Sequence, residues 1–398
     1  MKKLFFTALV ACFATVSFAQ DVAKEMKGKS YDEANAILQQ NFATLTAEQK
    51  AKAYATLTDI AYGPANDLYT AIQTAAVTGK QPENPDYTHF VKAINAAVEC
   101  DKYDNMPNDK GKVAPKFHKK NADRLDGFRV MLINPANETK DDDLKLMYAN
   151  CYLNSSSSPL FAESPSVKDG DKYVGYAEFF SAVAYYNKKD WSNVTIHAQN
   201  AMSNPDVKDQ SEQFLISALT NNLHSRSDSL NYIAVLSKIN PEKYLPSIAS
   251  MYSSLGETEK AETMLNNAIA ANPQNKMAYA IKGENAMNQK KWDEAIENFK
   301  KCVDIDPSFT AVWFNLGVCA SSKGFDMNEK LSNNGRISKE NAEKVNEVLK
   351  ESVTYYEKVR ALDPNHEQIT QWPMQLRMLY NALGETAKAQ EITDMLGY

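Results

Sequence analysis

"KWDEAIENFKKCVDIDP", residues 291–307, reads as an amphipathic helix that follows a turn and stops at a proline. Shifting the chain against itself by 34 residues shows that the stretch is one copy of a unit. Ala261, Leu265, Ala268 and Pro273 fall on Ala295, Phe299, Cys302 and Pro307. The segment before each such helix repeats as well, with Leu245, Tyr279 and Trp313 in register, and Ala249, Gly283 and Gly317 likewise. Seven aligned positions over adjacent units make a repeat architecture, in which each unit buries its apolar side only by stacking on the next.

The pattern resembles the tetratricopeptide repeat. Trp313, Leu316 and Gly317 reproduce its W-x2-L-G opening, and Ala295, Phe299 and Pro307 its A-x3-F…P close. Physical roles follow for the repeated positions. Small residues at Ala249, Gly283 and Gly317 admit a close neighbour, Tyr279 and Trp313 fill space between helices, and Pro273 and Pro307 end theirs. Degenerate copies extend upstream, at 175–208 through Ala182, Tyr185, Ala198, Ala201 and Pro205, and more loosely through Ser217, Ile233, Leu236 and Pro241. Downstream, "VTYYEKVRALDP" repeats the close, but Pro364 lies 57 residues after Pro307, which is 23 more than the period. The excess places an insertion at about 325–348, expected as a protruding loop with a turn at Asn328–Gly335 and a charged helical run at Ser338–Lys350. The pairing of Leu379–Thr386 with Met251–Thr258 marks a last unit.

Residues 20–170 show no clean period, yet "SYDEANAILQQ", "TAEQKAKAYATLTDIAYG", "DYTHFVKAINAAVECDKY", "NADRLDGFRVMLINP" and "DDDLKLMYANCYLNS" each carry helical spacing between prolines or glycines. Asn154–Pro159 reads as a turn or linker. The expected fold is all-α, a helical-hairpin solenoid over 171–398 with a diverged helical region at 20–170.

The first 19 residues have the form of an export leader, with Lys2 and Lys3, an apolar stretch from Leu4 to Phe18, and Ser17-Phe18-Ala19 as a small-x-small cleavage site. This predicts a periplasmic or secreted protein beginning at Gln20. Leu9-Val10-Ala11-Cys12 resembles a lipobox, but apolar residues follow Cys12 where a polar tether belongs. No later apolar run approaches the roughly 20 residues of a membrane span.

Composition narrows the function further. The formal charge of −6, or −8 without Lys2 and Lys3, argues against nucleic acid as a partner. The densest basic cluster, Lys110, Lys112, Lys116, Lys119 and Lys120, is broken by Pro115 and reads as a solvated loop. His89, His118, His197, His224 and His366 have no metal-ligand spacing, and Asp141–Asp143 fits a helix start better than a calcium loop. Cys100, Cys151, Cys302 and Cys319 are too sparse for a disulfide scaffold; they are expected free and buried, although three pairings stay open. Neither a cofactor nor a metal is expected, because no nucleophile elbow, phosphate loop or dinucleotide fingerprint occurs.

The resemblance implies a groove lined by the first helix of each unit, binding a peptide or protein through its second, fifth, sixth, ninth, twelfth and thirteenth positions. These are Met277, Ala280, Ile281, Glu284, Met287 and Asn288 in one unit, and Ala311, Phe314, Asn315, Val318, Ser321 and Ser322 in the next. Ile281, Phe314 and Val318 would anchor apolar side chains; Glu284 and Asn315 would hydrogen-bond an extended backbone. The carboxylate clamp of the family's chaperone-tail receptors is not reproduced, since Ala280 and Glu284 stand where it has Lys and Asn. The expected function is a non-catalytic scaffold binding a protein or peptide in the cell envelope. Two alternatives remain: an enzyme with its site in 20–170, which needs histidine and carboxylates converging in a cleft, and a structural or assembly subunit of an outer-membrane complex.

Overall fold

The computed structural model describes residues 22–107, 111–333 and 336–397. The leader and the Cys12 lipobox lie outside the described residues. Backbone contacts divide the chain into two units, residues 1–223 and 224–398. Every named element among the described residues is helical, and no described helix is long and apolar enough to cross a membrane.

Unit 2 holds α11 (Arg226–Ile239), α12 (Leu245–Ser254), α13 (Thr258–Ala271), α14 (Lys276–Asn288), α15 (Trp292–Ile305), α16 (Thr310–Leu331), α17 (Lys339–Leu362), α18 (Trp372–Ala382) and α19 (Thr386–Met395). Each packs on the next in chain order, and α12 also meets α14, one period on. The opening stretch is α15, with Ala295, Ile296, Phe299, Cys302 and Val303 buried. Its close approach to α14 depends on a missing side chain. A Cβ at Gly283 would lie 2.5 Å from the Phe299 ring, and one at Gly317 would lie 2.7 Å from the Tyr356 ring. The second contact is reinforced where Ser352 Oγ donates to the buried Gly317 carbonyl at 2.7 Å. Trp313 fills space as expected: its ring lies tilted against Tyr355 at 6.1 Å and it donates from Nε1 to the Pro307 carbonyl at 2.9 Å.

The turns joining the helices of a hairpin need a left-handed residue. Gly256 and Gly384 supply it at φ 72° and 76°, whereas Lys290 takes φ 58° with a side chain attached. The aspartates before Pro307 and Pro364 are also built in. Asp363 accepts backbone N–H groups of Glu367, Gln368 and Ile369 at 2.8–3.1 Å, anchoring the turn into α18. Asp306 pairs with Lys276 at 2.6 Å, tying the end of one repeat to its start.

The charged run expected from Ser338 is helical, as the start of α17, but the insertion is not a loop, and α16 continues to Leu331 where a turn was expected from Asn328. Most of 325–348 is helix, because the surplus lengthens both arms of a hairpin: α16 and α17 have 22 and 24 residues against 13 and 14 for α14 and α15. Gly324 admits Leu349, 2.6 Å from where a Cβ would sit, and Val345 and Leu349 are buried, so the extension carries its own apolar seam.

Unit 1 contains α1 (Val22–Glu25), α2 (Tyr31–Asn41), α3 (Ala47–Thr78), α4 (Thr88–Asp104), α5 (His118–Val130), α6 (Ile133–Glu138), α7 (Asp142–Ser156), α8 (Val174–Asn187), α9 (Trp191–Ala201) and α10 (Lys208–Asn221). The hairpin α8–α9 is the repeat read at 175–208, with Lys189 left-handed at φ 58° in its turn. Asp141 caps α7 by accepting from the N–H groups of Asp143 and Leu144, so the triple aspartate is a helix start. The helical stretch read up to Gly63 continues through Pro64, and α3 runs on to Thr78. Proline there forfeits one backbone hydrogen bond, but burial of Ala61 and Ala65 in the main core of the unit holds the helix on course.

Of the two readings of Asn154–Pro159, the structure has the turn and not the linker. Helix α7 reaches Ser156, and the following turn buries Leu160 and Phe161 under a wholly buried arginine. Arg129 donates to Ser155 at 2.8 Å, Ser156 at 2.6 Å and Asp171 at 2.9 Å, and bonds Ser166; its guanidinium lies over the rings of Tyr152 and Phe161. Burial alone would raise the Asp171 pKa, but hydrogen bonds from Tyr152, Ser156 and Arg129 outweigh it and hold the carboxyl below its usual value.

Gly283→Ala should lower stability by about 1–3 kcal/mol in urea unfolding, through overpacking against Phe299; an unchanged midpoint would refute the close-approach account. Arg129→Met should cost about 3–5 kcal/mol at neutral pH, because it strands the Asp171 charge. A depressed carboxylate pKa stabilises above the unfolded value and is lost as pH falls through the folded one, so the gap to wild type should narrow below about pH 4. A gap that widens in acid would contradict it.

Candidate functional site

The residues expected to line the groove lie on α14 and α16, and packing claims part of the set. Ile281 is buried with Leu245, Ala249, Leu265 and Ala278. Phe314 is half-buried, its ring edge-on to Tyr356 at 5.5 Å, and it joins Val318 against the core formed by α17, α18 and α19. Met277 and Asn315 are half-buried, whereas Glu284 and Asn288 keep exposed surface. The three apolar residues therefore enter two different clusters, with Ile281 in one and Phe314 and Val318 in the other.

What stays open is polar on α14 and apolar further along. The neighbouring protein desolvates Glu284 enough to push its carboxyl pKa above the ordinary value. At the end of the same repeat, hydrogen bonds from Lys276 and Ser308 hold Asp306 down to about 2, so that pair stays charged. On α18, Met374 and Met378 lie one turn apart and are 48% and 43% exposed; Phe325 on α16 is 38% exposed. Sequence reasoning missed the two methionines, although the signal was present. Carrying the match of Leu379–Thr386 with Met251–Thr258 backward puts Met374 and Met378 at the fifth and ninth positions of their unit.

The lengthened arm reaches back over the preceding hairpin. Trp292 Nε1 donates to Asp326 at 2.8 Å, and Lys323 meets Asp293 at 2.5 Å. A cleft of about 460 Å³ lies between them, lined by Lys290, Trp292 and Lys330 among others.

Among the described residues no cluster of His, Cys, Asp and Glu could hold a metal ion. The four cysteines among the described residues are buried and free; burial pushes the thiols of Cys151 and Cys319 up to about 12 and that of Cys302 to about 11, away from the reactive thiolate. Cys100 is likewise raised, and its Sγ donates to the Ala51 carbonyl at 3.2 Å, not to a histidine. A cleft does exist within 20–170, between α1, α3, α4 and residues 112–117 before α5, but its carboxylates already have partners. Glu48 pairs with Lys116 and Asp59 with Arg124, while Asp104 accepts two backbone N–H groups. His118 bonds Asp101 at 2.6 Å and does not line that cleft. His197 pairs with Glu178 at 2.5 Å and stacks on Tyr185.

Comparison with known proteins agrees with the repeat reading. Residues 247–275 and 278–309 match the family model described as tetratricopeptide repeat. No curated protein matches the chain. Among solved structures, a monomeric mutant of IFIT1 with Gppp-AAAA aligns at TM-score 0.38 and 14% identity, over 84% of this chain and 69% of that one. The human IFIT1 dimer with m7Gppp-AAAA aligns at TM-score 0.37 and 13% identity, over 85% and 72%.

Proposed function

We propose that this chain, a tetratricopeptide-repeat protein over residues 247–309, is a scaffold in the bacterial cell envelope that holds an extended segment of a partner protein. The observation that carries the reading is the exposed apolar surface left on the first helices of the unit 2 hairpins, Phe325 on α16 and Met374 and Met378 on α18. Buried positions of the same helices are already spent on packing, so side chains left in water at helical spacing are available for a partner. Methionine suits such a surface, being unbranched and able to repack around varied shapes. Glu284, Asn288 and Asn315 supply hydrogen-bonding groups for a backbone laid along the helices. Because the helices are ordered before the partner arrives, binding loses little conformational entropy. The leader-like first 19 residues support export, and the negative formal charge favours a protein partner over a nucleic acid.

The test is in-cell crosslinking of the exported full-length chain beside its Met374→Asp, Met378→Asp double variant. The variant should keep wild-type helicity and lose at least about tenfold of its captured partner, as expected when charge enters an apolar contact. Equal capture by both proteins would remove this surface from consideration. Substitution of Ile281 would not serve, since it tests the core. Intact mass of the exported chain should place Gln20 first. A lipid-modified Cys12 would instead favour the assembly-subunit reading.

A further inference from the structure

We infer that unit 1 carries a separate binding site for a small organic anion with an apolar body, in the cavity between α1, the first half of α3, the end of α4 and the segment leading into α5. The cavity measures about 530 Å³, within the range of small-molecule sites of roughly 300–1,000 Å³. Its depth comes from sequence. Ala51 and Ala55, one turn apart on α3, stand where larger side chains would fill the space, and Tyr103 and Phe117 add ring surface to the wall.

Charge decides what would occupy it. The lining carboxylates are each committed. Glu48 receives Lys116 at 2.6 Å, and Asp59 holds Arg124 at 2.7 Å and Lys120 at 3.3 Å. Asp104 accepts the backbone N–H groups of Lys116 and Phe117, both at 2.7 Å. Lys27 and Lys52 also line the cavity, and neither forms an ion pair with a described carboxylate; Glu48, one turn from Lys52, is already held by Lys116. The site therefore combines an apolar patch at Ala51, Ala55, Tyr103 and Phe117 with two lysines that no described carboxylate pairs with. An anionic head between Lys27 and Lys52, with its hydrocarbon or aromatic part against Ala51, Ala55 and Phe117, satisfies both. Lysines on an open surface would simply be hydrated; lysines over a cavity with apolar walls favour a ligand that replaces that water.

This inference is independent of the partner surface on unit 2, and its test reads only unit 1. The probe is 8-anilinonaphthalene-1-sulfonate, titrated by fluorescence into the full-length exported chain, with uncharged N-phenyl-1-naphthylamine as the matched body lacking the charge. The Lys27→Glu, Lys52→Glu double variant changes exposed side chains and should weaken the sulfonate by about tenfold while leaving the neutral probe within about twofold. Thr56→Trp, which fills the cavity from a half-buried lining position, should weaken both probes. Unchanged sulfonate affinity in the lysine variant would overturn the proposal, as would equal weakening of both probes by that variant. If Thr56→Trp does not fold, the lysine variant and the two probes decide alone.

Discussion

The contact between a bare glycine on one helix and an aromatic ring on the next sets the geometry of the second half of this protein. At Gly283 the Phe299 ring occupies the volume that any Cβ would claim, and at Gly317 the Tyr356 ring does the same. Helices brought that near exclude water from the seam between them. The rest of the hairpin then follows from ordinary packing, with Ala295, Cys302 and Leu316 wholly buried around it. A helix of 13 or 14 residues is marginal by itself, so α14 and α15 exist because of this seam and not because of intrinsic helical preference.

Unit 1 solves the same problem of burying helical faces by a different device. Its core is aromatic, with Phe90, Phe128, Tyr152 and Phe161 almost wholly buried, and it closes around a charged centre at Arg129. A buried guanidinium is tolerable only when every donor is engaged, and here serines, an aspartate and two ring faces engage it. Hydroxyls spaced along "NSSSSP" have a structural use that composition alone assigns to a linker.

The repeated part was legible because a period of 34 repeats physical requirements: a small residue where helices touch, an aromatic beside it, a proline at the close. Those requirements can be read from Gly283, Phe299 and Pro307 without coordinates. The insertion was placed correctly and its helical run from Ser338 was legible, but turn-forming residues such as Ser332 and Asn333 mark where a chain reverses and not how far the first arm extends. Similarly, Pro64 reads as a stop in isolation, and only the burial of Ala61 and Ala65 shows why the helix ignores it. The candidate surface was half legible. Position numbers located helices α14 and α16, but whether Ile281 or Phe314 faces solvent or a neighbour depends on the next hairpin, which sequence spacing does not encode.

The long α16–α17 arm separates two kinds of stability within one hairpin. Near its base, Ser352 and Tyr356 are locked to Gly317, whereas Asn328 to Leu331 and Lys339 to Glu340 are exposed. Local opening at the far end exposes little apolar surface, so it proceeds at small free-energy cost while the base stays folded. The far end is therefore where foreign sequence, a reporter or an affinity handle could be spliced into the chain without unravelling the repeats beneath it.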